Sequence, residues 1–444
     1  MITKDALVFW NPWWSGQANW LRASKRESLP VIRQFLKRKE ILTITGVRRS
    51  GKTTLFHLLI KELLEEGLKP EQILHVNLED PAFRETTILD LYKAYRDLIH
   101  PDGPAYLFLD EVQQMDDWQR DLRKLQDGFD EIRIAITGSN SSLLKGEYSS
   151  LLTGRTLMHE NHPFSFRECV ISRGLLDEFD EHLLLKAKSR IVQLFREYMT
   201  FGGFPEVLNE PDPHMKLMLL KEYYTAMVTR DVLARYPIRQ AKKFETATHY
   251  FMSAFTGLFS AKKTGDVLGI NMHTLEEYLG FLEDVYLMYP VAHFSYSLKR
   301  QITYPRKIYG VDNGMINAVS FRFSEDLGKQ LENLVFLEIR RRDCECYYWK
   351  GKKECDFLIK EREKVAQAIQ VTWSLKDAAV LKREVAGLME ALTTFDLPGG
   401  IILTYDEFDR FDSGGRRIEV LPVWFWMLAT RQACSPSPIL KGNP

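Results

Sequence analysis

The chain has 444 residues, of which 45% are hydrophobic and 27% charged, a globular composition with room for two to four domains. Lysine plus arginine and aspartate plus glutamate each number 60, which excludes an overall field attracting nucleic acid or membrane; such attraction needs local patches. No apolar run approaches the roughly 20 residues of a membrane span, and no secretory signal opens the chain. We therefore predict a cytoplasmic protein whose five cysteines are reduced thiols.

The first distinctive segment, Phe9 to Trp14, is dense in aromatic residues. Such rings normally pack against the body of a protein, because they bury a large apolar area. Alternatively, one ring covers the adenine of a nucleotide, since the segment lies shortly before a phosphate-binding pattern. The sequence leaves both interpretations open.

That pattern is the stretch from Gly46 to Thr54, which matches G-x-x-x-x-G-K-[ST]. The β-branched apolar run Ile41 to Ile44 before it predicts a buried strand, and the apolar residues after it recur at helical spacing. A strand, a glycine-rich loop and a helix N-terminus bind phosphate through backbone N–H groups and the helix dipole. The predicted nucleotide-binding residues are Gly46, Arg49, Ser50, Gly51, Lys52, Thr53 and Thr54.

Two acidic residues follow the predicted third strand, Ala105 to Leu109. In an open α/β sheet, ligands bind at the carboxyl ends of the strands. We expect Lys52 to reach the β- and γ-phosphates of ATP, and Thr53 and Asp110 to hold Mg²⁺. Glu111 would orient and polarise the attacking water. The alternative is that both acids are solvated loop residues.

The predicted fourth strand, Ile132 to Thr137, ends in the small polar stretch Gly138 to Ser141. Ser139 is a candidate to bond the γ-phosphate or the water, although serine is equally common in caps and turns. Arg155 comes just ahead of an apolar stretch that supplies a fifth strand.

In combination, these motifs resemble the AAA+ class of P-loop ATPases. In that class an arginine at the position of Arg155 commonly reaches the nucleotide of a neighbouring subunit, where it stabilises transition-state charge. The resemblance therefore implies a homo-oligomer, with a surface role as the alternative for Arg155. Arg230 is a second candidate, as a sensor, with an ion pair to Asp231 as its alternative.

The middle of the chain is predicted to be helical from 168 to 247, with a turn at Gly202 to Pro205, and would suit a lid over the nucleotide. Residues 261–282 read as helix, glycine turn and helix, and apolar strands near 285–294 and 308–311 would complete a winged helix. Winged helices bind DNA or serve as protein contacts. Local positive charge favours DNA here. The residues concerned are Lys262, Lys263, Lys299 and Arg300.

The last segment resembles the restriction-endonuclease-like fold with its PD-(D/E)XK site, through a helix with Glu332 and strands carrying Asp356 and Gln370. A family of prokaryotic ATPases joins such a domain to an AAA+ core and a winged helix, and the resemblance covers nearly the whole chain. Gln370 stands where a carboxylate belongs, and Thr372 where a lysine belongs. Because a neutral amide holds a hard dication poorly, we expect no cleavage and a retained role in DNA binding or subunit contacts.

The sequence thus predicts an α/β protein: an AAA+ P-loop parallel-sheet core (1–167), a helical lid (168–247), a winged helix (248–322) and a nuclease-like α/β domain (323–444). The predicted function is an ATPase with ATP and Mg²⁺ as cofactors that remodels or translocates DNA, including branched DNA. One alternative is a slow nucleotide switch that regulates a DNA-binding module. Another is a metal-dependent nuclease.

Overall fold

The structure is a computed structural model that describes residues 2–16, 21, 23–141, 152–176, 181–320 and 326–429. The chain divides into two compact units. One contains Met1–Pro163 with Asp284–Tyr286, and the other contains Phe164–Glu283 with Leu287–Pro444. Among the described residues, none of the helices combines the length and the hydropathy that crossing a membrane requires.

The first unit is built on a five-stranded parallel sheet with the strand order β2-β3-β4-β1-β5. Four of its strands read as nearly continuous apolar runs, because a parallel sheet is covered on both faces. The predicted parallel-sheet core is therefore confirmed. The strands are β1 (Ile41–Thr45), β2 (Ile73–Asn77), β3 (Ala105–Asp110), β4 (Ile132–Gly138) and β5 (Thr156–Glu160).

The helices of this unit bury one apolar side each against the sheet. The helix after β1 contributes Leu55, Phe56 and Leu59 to the core, at the spacing of a single helical face. The helices are α1 (Lys4–Trp10), α2 (Leu29–Leu36), α3 (Lys52–Glu65), α4 (Ile88–Leu98) and α5 (Trp118–Gly128).

The aromatic N-terminal segment packs against strand β2. The indole N–H groups of Trp13 and Trp14 donate to the carbonyl oxygen of Ile73 at 3.3 and 3.0 Å, and that of Trp10 donates to Asp80 at 2.9 Å. The segment thus covers the sheet at β2, as the first of the two interpretations expects.

The second unit begins with helices joined by the predicted turn at Gly202. Gly202 has a φ of +76°, and a Cβ atom there would lie 1.8 Å from an oxygen of Asp312. Asp312 also accepts a hydrogen bond from the backbone N–H of Gly203 at 2.7 Å. Burial raises the pKa of Asp312 to about 6. The helices here are α6 (Phe166–Ser172), α7 (Glu181–Phe201), α8 (Pro205–Asn209) and α9 (Pro213–Ala226), followed by a π-helical turn (Met227–Leu233).

A three-stranded antiparallel sheet with the order β6-β8-β7 follows, together with a pair of helices separated by the left-handed Gly269. The segment between β7 and β8 contains a short helix that the sequence did not predict. The elements are α10 (Ala241–Ser253), β6 (Leu258–Phe259), α11 (Ala261–Leu268), α12 (Met272–Asp284), β7 (Met288–Val291), α13 (Leu298–Thr303) and β8 (Arg306–Gly310).

After α14 (Asn313–Val319), the chain ends in a six-stranded mixed sheet with the order β13-β14-β12-β11-β10-β9. Strands β9 to β11 are antiparallel, whereas β11, β12 and β14 are parallel. The elements are α15 (Leu327–Arg341), β9 (Glu345–Lys350), β10 (Glu354–Glu361), β11 (Lys364–Val371), α16 (Ala378–Thr394), β12 (Gly399–Thr404), β13 (Asp409–Ser413), β14 (Arg416–Pro422) and α17 (Val423–Ala429).

The cysteines only partly match the expectation of reduced thiols. Cys169, Cys346 and Cys355 are free, and burial raises the pKa of the Cys346 thiol to about 12. That thiol is therefore protonated at neutral pH. Cys344, in contrast, is disulfide-bonded, which corrects the prediction for this residue.

Candidate nucleotide-binding site

The phosphate loop connects the end of β1 to the start of α3. Gly46 has a φ of +136°, and a Cβ atom at this position would lie 2.2 Å from the carbonyl oxygen of Asn161. Gly51 caps α3 with a φ of 92°, also in the left-handed region. Both glycines are therefore needed for the conformation of the loop, one because of a close backbone approach and the other because of its backbone angles.

Two residues that the sequence analysis missed hold this loop from outside. The Asn161 amide donates to the carbonyl oxygen of Ser50 at 3.0 Å and to its hydroxyl at 3.1 Å. The Arg26 guanidinium donates to the same carbonyl oxygen at 2.9 Å and to that of His162 at 2.7 Å. Asn161 directly follows β5, so a polar residue at a strand end was the available signal, whereas Arg26 lies in a stretch without a periodic pattern.

Lys52 is almost fully buried at the first turn of α3. Its ammonium group donates to the carbonyl oxygens of Gly46 at 3.1 Å and Val47 at 3.3 Å, and it lies 3.7 Å from a carboxylate oxygen of Glu111. The lysine thus bridges the phosphate loop and the acidic end of β3.

Asp110 lies at the carboxyl end of β3 and accepts hydrogen bonds from two threonines. The hydroxyl of Thr53 donates to one carboxylate oxygen, and the hydroxyl of Thr137, at the end of β4, donates to the other. Burial, reinforced by the neighbouring charge of Glu111, raises the pKa of Asp110. A buried carboxylate with this environment gains from a nearby cation.

The oxygen atoms at this position suit Mg²⁺. This ion prefers hard oxygen ligands and usually takes one or two protein ligands together with phosphate oxygens and water. The Thr53 hydroxyl and the Asp110 carboxylate are such a pair. Within the described part of the chain, no three histidine, cysteine, aspartate or glutamate side chains are arranged to hold a metal ion by themselves.

Glu111 follows in a left-handed backbone conformation, with a φ of 54°. A non-glycine residue rarely adopts this conformation, and such strain is concentrated at functional sites. The backbone N–H of Glu111 donates to the Thr137 hydroxyl at 2.9 Å, and the Glu111 carboxylate accepts a hydrogen bond from the Gln113 amide. The same amide lies 3.5 Å from the hydroxyl of Ser139, which links the polar end of β4 to Glu111.

The remaining predicted residues occupy different environments. Ser50 is fully buried and Arg49 has a φ of 69°, whereas Thr54 is exposed on the first turn of α3.

Arg155 is not near this loop. Its carbonyl oxygen accepts a hydrogen bond from Ile41 at the start of β1, at the end of the strand opposite the loop, and its guanidinium contacts Asp127. Hydrogen bonding to Arg155 accordingly lowers the pKa of Asp127.

Arg230 is exposed on the π-helical turn, and the expected partner Asp231 lies 3.5 Å from Arg235. Glu332 and Asp356, from the nuclease-like pattern, do come together, but both contact the ammonium group of Lys307. Gln370 donates to Glu384 at 2.6 Å and accepts a hydrogen bond from the backbone N–H of Asp356 at 3.3 Å.

The part of the chain that contains the phosphate loop matches a known family model. Residues 38–170 match the family model described as an AAA domain, and residues 192–326 match a domain of unknown function, DUF8612. The match and the geometry of the loop support a nucleotide-dependent P-loop ATPase of the AAA type.

Two whole-chain relatives extend the comparison. The chain is 32% identical over 407 residues to "Uncharacterized protein MJ1544" of Methanocaldococcus jannaschii, covering 88% of both chains. It belongs to the same family as that protein. It is also 27% identical over 417 residues to an "Uncharacterized protein" of Haemophilus influenzae, covering 91% of this chain and 98% of the relative.

A similar solved structure is that of a signal transduction ATPase with numerous domains, a protein with a tetratricopeptide repeat sensor from Pyrococcus horikoshii. The identity is 13% and the TM-score 0.28. The similarity covers 72% of this chain and 46% of that chain, so this chain spans less than half of its length.

Proposed function

We propose that the protein is an Mg²⁺-dependent ATP hydrolase whose active site lies at the carboxyl ends of β1 and β3. The observation that carries this proposal is the convergence of Lys52, Glu111 and the Thr53–Asp110 pair. An ammonium group, a hard-oxygen pair and a second carboxylate are the parts that phosphoryl transfer to water requires.

Each residue has a separate task in this proposal. Lys52 leaves the loop carbonyl oxygens to bind the β- and γ-phosphates, and the loop N–H groups hold the phosphates in place. Thr53 and Asp110 hold Mg²⁺, which offsets phosphate charge when bound. Glu111, held by Gln113, orients the attacking water and polarises it. Ser139, connected through the same glutamine, senses the γ-phosphate.

The first test measures steady-state ATP hydrolysis with Mg²⁺ and with excess EDTA. We expect saturable hydrolysis that EDTA abolishes and that Thr53→Ala reduces about tenfold or more, because one metal ligand is lost. Half-exposed Lys61→Ala, further along the same helix, is the control and should retain activity. Hydrolysis that is insensitive to EDTA would contradict the proposal.

Coupling to DNA is a second proposal, and the charges of the second unit bear on it. Lys262, Lys263, Lys299 and Arg300 are exposed, and the order of elements from α10 to β8 matches that of a winged helix. However, α12 contains no lysine or arginine, and its Glu276 and Glu277 are exposed. Acidic side chains repel phosphate, so we propose that the basic residues of α11 and α13 contact the DNA backbone, without major-groove entry by α12.

The same hydrolysis assay separates this proposal from the nucleotide switch. It is repeated without DNA and with single-stranded, duplex and four-way-junction DNA. Stimulation by one form that is lost in Lys299→Ala/Arg300→Ala supports a DNA-coupled ATPase. Equally slow hydrolysis without DNA and with each DNA form would instead support a nucleotide switch in which the second unit contacts proteins.

We also propose that Arg155 acts in trans in a homo-oligomer. The Arg155 side chain is 34% exposed and that of Asp127 is 47% exposed, so the pair is solvent-accessible and little energy opposes transfer of the arginine to a neighbouring nucleotide. Arg155→Ala should reduce hydrolysis at least about tenfold, since the transition state loses a positive charge.

A mixing experiment makes this prediction specific. Glu111→Gln chains lack a working site but keep Arg155, whereas Arg155→Ala chains keep the site. If the arginine acts in trans, an equimolar mixture should hydrolyse ATP faster than either variant alone. A mixture with only the average activity of its parts, at a concentration where oligomers form, would contradict the proposal.

A further inference from the structure

The second unit has an exposed apolar segment between β7 and β8, at residues 296–304, which includes the short helix α13. The side chains of Tyr296, Leu298 and Ile302 are 78%, 69% and 74% exposed. The Tyr296 ring contacts that of Phe294 at a steep angle, with 5.2 Å between the ring centroids, so a neighbour positions it while most of it stays open. Exposed apolar side chains that lie close together mark interaction sites.

The same segment carries positive charge that no acid offsets. Lys299 and Arg300 are exposed on α13, and within the described part of the chain neither of them forms a salt bridge. Residues 295–305 contain no aspartate or glutamate. A surface of this kind attracts an anionic partner.

A second basic element, the connection between β9 and β10, lies next to this segment. The Tyr304 ring stacks on the His293 ring with 4.4 Å between the centroids, and His293 Nε2 accepts a hydrogen bond from the backbone N–H of Lys350 at 3.2 Å. The backbone N–H of Phe294 also donates to the carbonyl oxygen of Tyr348 at 2.8 Å. His293 thus joins the end of the exposed segment to the end of β9.

This connection presents two further cations on a backbone that is held in place. The backbone N–H groups of Lys352 and Lys353 donate to the two carboxylate oxygens of Glu390 at 2.8 and 2.7 Å. The side chains of both lysines are exposed, and among the described residues they form no salt bridge. Lys350 differs, because its ammonium group lies 3.6 Å from Glu354.

The combination of charge and apolar side chains indicates which anion fits. The four cations without a salt bridge outnumber the two acids beside them, Glu354 and Glu390, and cations spread along a surface suit the successive phosphates of a nucleic acid. Apolar side chains suit the faces of bases, which stack on aromatic rings. A duplex hides these faces between its base pairs, whereas an unpaired strand presents them.

We propose that residues 296–304 and 351–353 form a surface that binds single-stranded DNA. The inference rests on the proposed coupling of the protein to DNA, and it names the form of DNA that is bound. The four cations contact phosphates along the strand. Tyr296 stacks on a base, and the apolar side chains of α13 contact neighbouring bases.

The test measures DNA binding by the full-length chain without nucleotide, from the fluorescence anisotropy of a labelled oligothymidylate and of a labelled duplex of equal length. The wild type should bind the single strand more tightly. Tyr296→Ala should weaken this binding about fivefold or more, because one base loses its stacking partner. Tyr296→Phe keeps the ring and should bind as the wild type does. Phe9→Ala removes an aromatic side chain of the first unit that is 74% exposed, and it should have no effect.

The salt dependence of binding tests the cations separately. Each phosphate of a single strand that a cation neutralises contributes about 0.7 to the slope of the logarithm of affinity against the logarithm of salt concentration. Lys352→Ala/Lys353→Ala should therefore reduce the magnitude of this slope by about 1.4. Lys61→Ala, which removes a half-exposed lysine of the first unit, should leave the slope unchanged.

Three results would overturn the inference, and they differ in what they leave standing. Duplex binding that equals single-strand binding and does not change in Tyr296→Ala would leave the proposed DNA coupling intact. Failure to bind either DNA at low salt would contradict that coupling as well. Binding to phosphatidylglycerol vesicles but to neither DNA would assign the surface to a membrane. None of these measurements depends on ATP hydrolysis, so the proposed ATPase activity is tested independently.

Discussion

The Glu111→Gln variant should bind ATP as tightly as the wild type and hydrolyse it about 10²- to 10⁴-fold more slowly, the range expected for loss of a positioned general base. The glutamine keeps the size and the hydrogen-bonding capacity of the side chain, so the contact with Gln113 can be retained. It lacks the negative charge that polarises water. Binding and turnover should therefore separate.

The measurement pairs single-turnover hydrolysis with titration of a fluorescent ATP analogue. Asp116→Asn is a matched control, because Asp116 is an exposed acid shortly after Glu111 in the chain. The control should retain both activities. If Glu111→Gln hydrolysed ATP at the wild-type rate, Glu111 would have no role in the mechanism. Another group would then have to accept the proton of the attacking water.

The Lys52→Ala variant should lose nucleotide binding itself. The ammonium group is the buried cation of the loop, and hydrogen bonds to charged groups are each worth about 1.5–3 kcal/mol, which predicts roughly 10- to 150-fold weaker ATP binding. Hydrolysis should fall further, by about 10²–10³, because the same charge stabilises the transition state.

Lys61→Ala offers a matched control on the same helix. Lys61 is half-exposed and lies 3.9 Å from Glu65, so its loss should change neither binding nor hydrolysis measurably. Because Lys52 also bonds the loop carbonyl oxygens, circular dichroism should confirm that the variant is folded. Unchanged ATP affinity in folded Lys52→Ala would contradict the assigned site.

The local patterns of the sequence predict much of the first unit. Each of three features is encoded by neighbouring residues: the apolar run before Gly46, the glycine-rich loop and the acidic end of β3. Their signals are a hydrophobic period or a backbone conformation that requires glycine. The structure therefore has β1, the loop, α3 and β3 where the sequence predicts them. The same reasoning located the turn at Gly202.

The partners of these segments could not be predicted in the same way. Asn161 and Arg26 reach Ser50 from sequence separations of 111 and 24 residues, and no local pattern encodes those contacts. Thr137 meets Asp110 because β4 lies beside β3 in the sheet. Strand order is a property of the whole domain.

The contacts of charged residues were the hardest feature to predict from the sequence. Lys307 directly precedes the predicted strand at 308–311, yet in the fold its ammonium group contacts Glu332 of α15 and Asp356 of β10. Arg155 precedes the fifth strand as expected, but the parallel register places it at the amino ends of the strands, whereas the phosphate loop lies at their carboxyl ends. The sequence by itself determined the nucleotide loop, because its chemistry is local. Only the tertiary structure decided which distant side chains meet the loop and which cation the buried carboxylates hold, because burial and strand order bring them together.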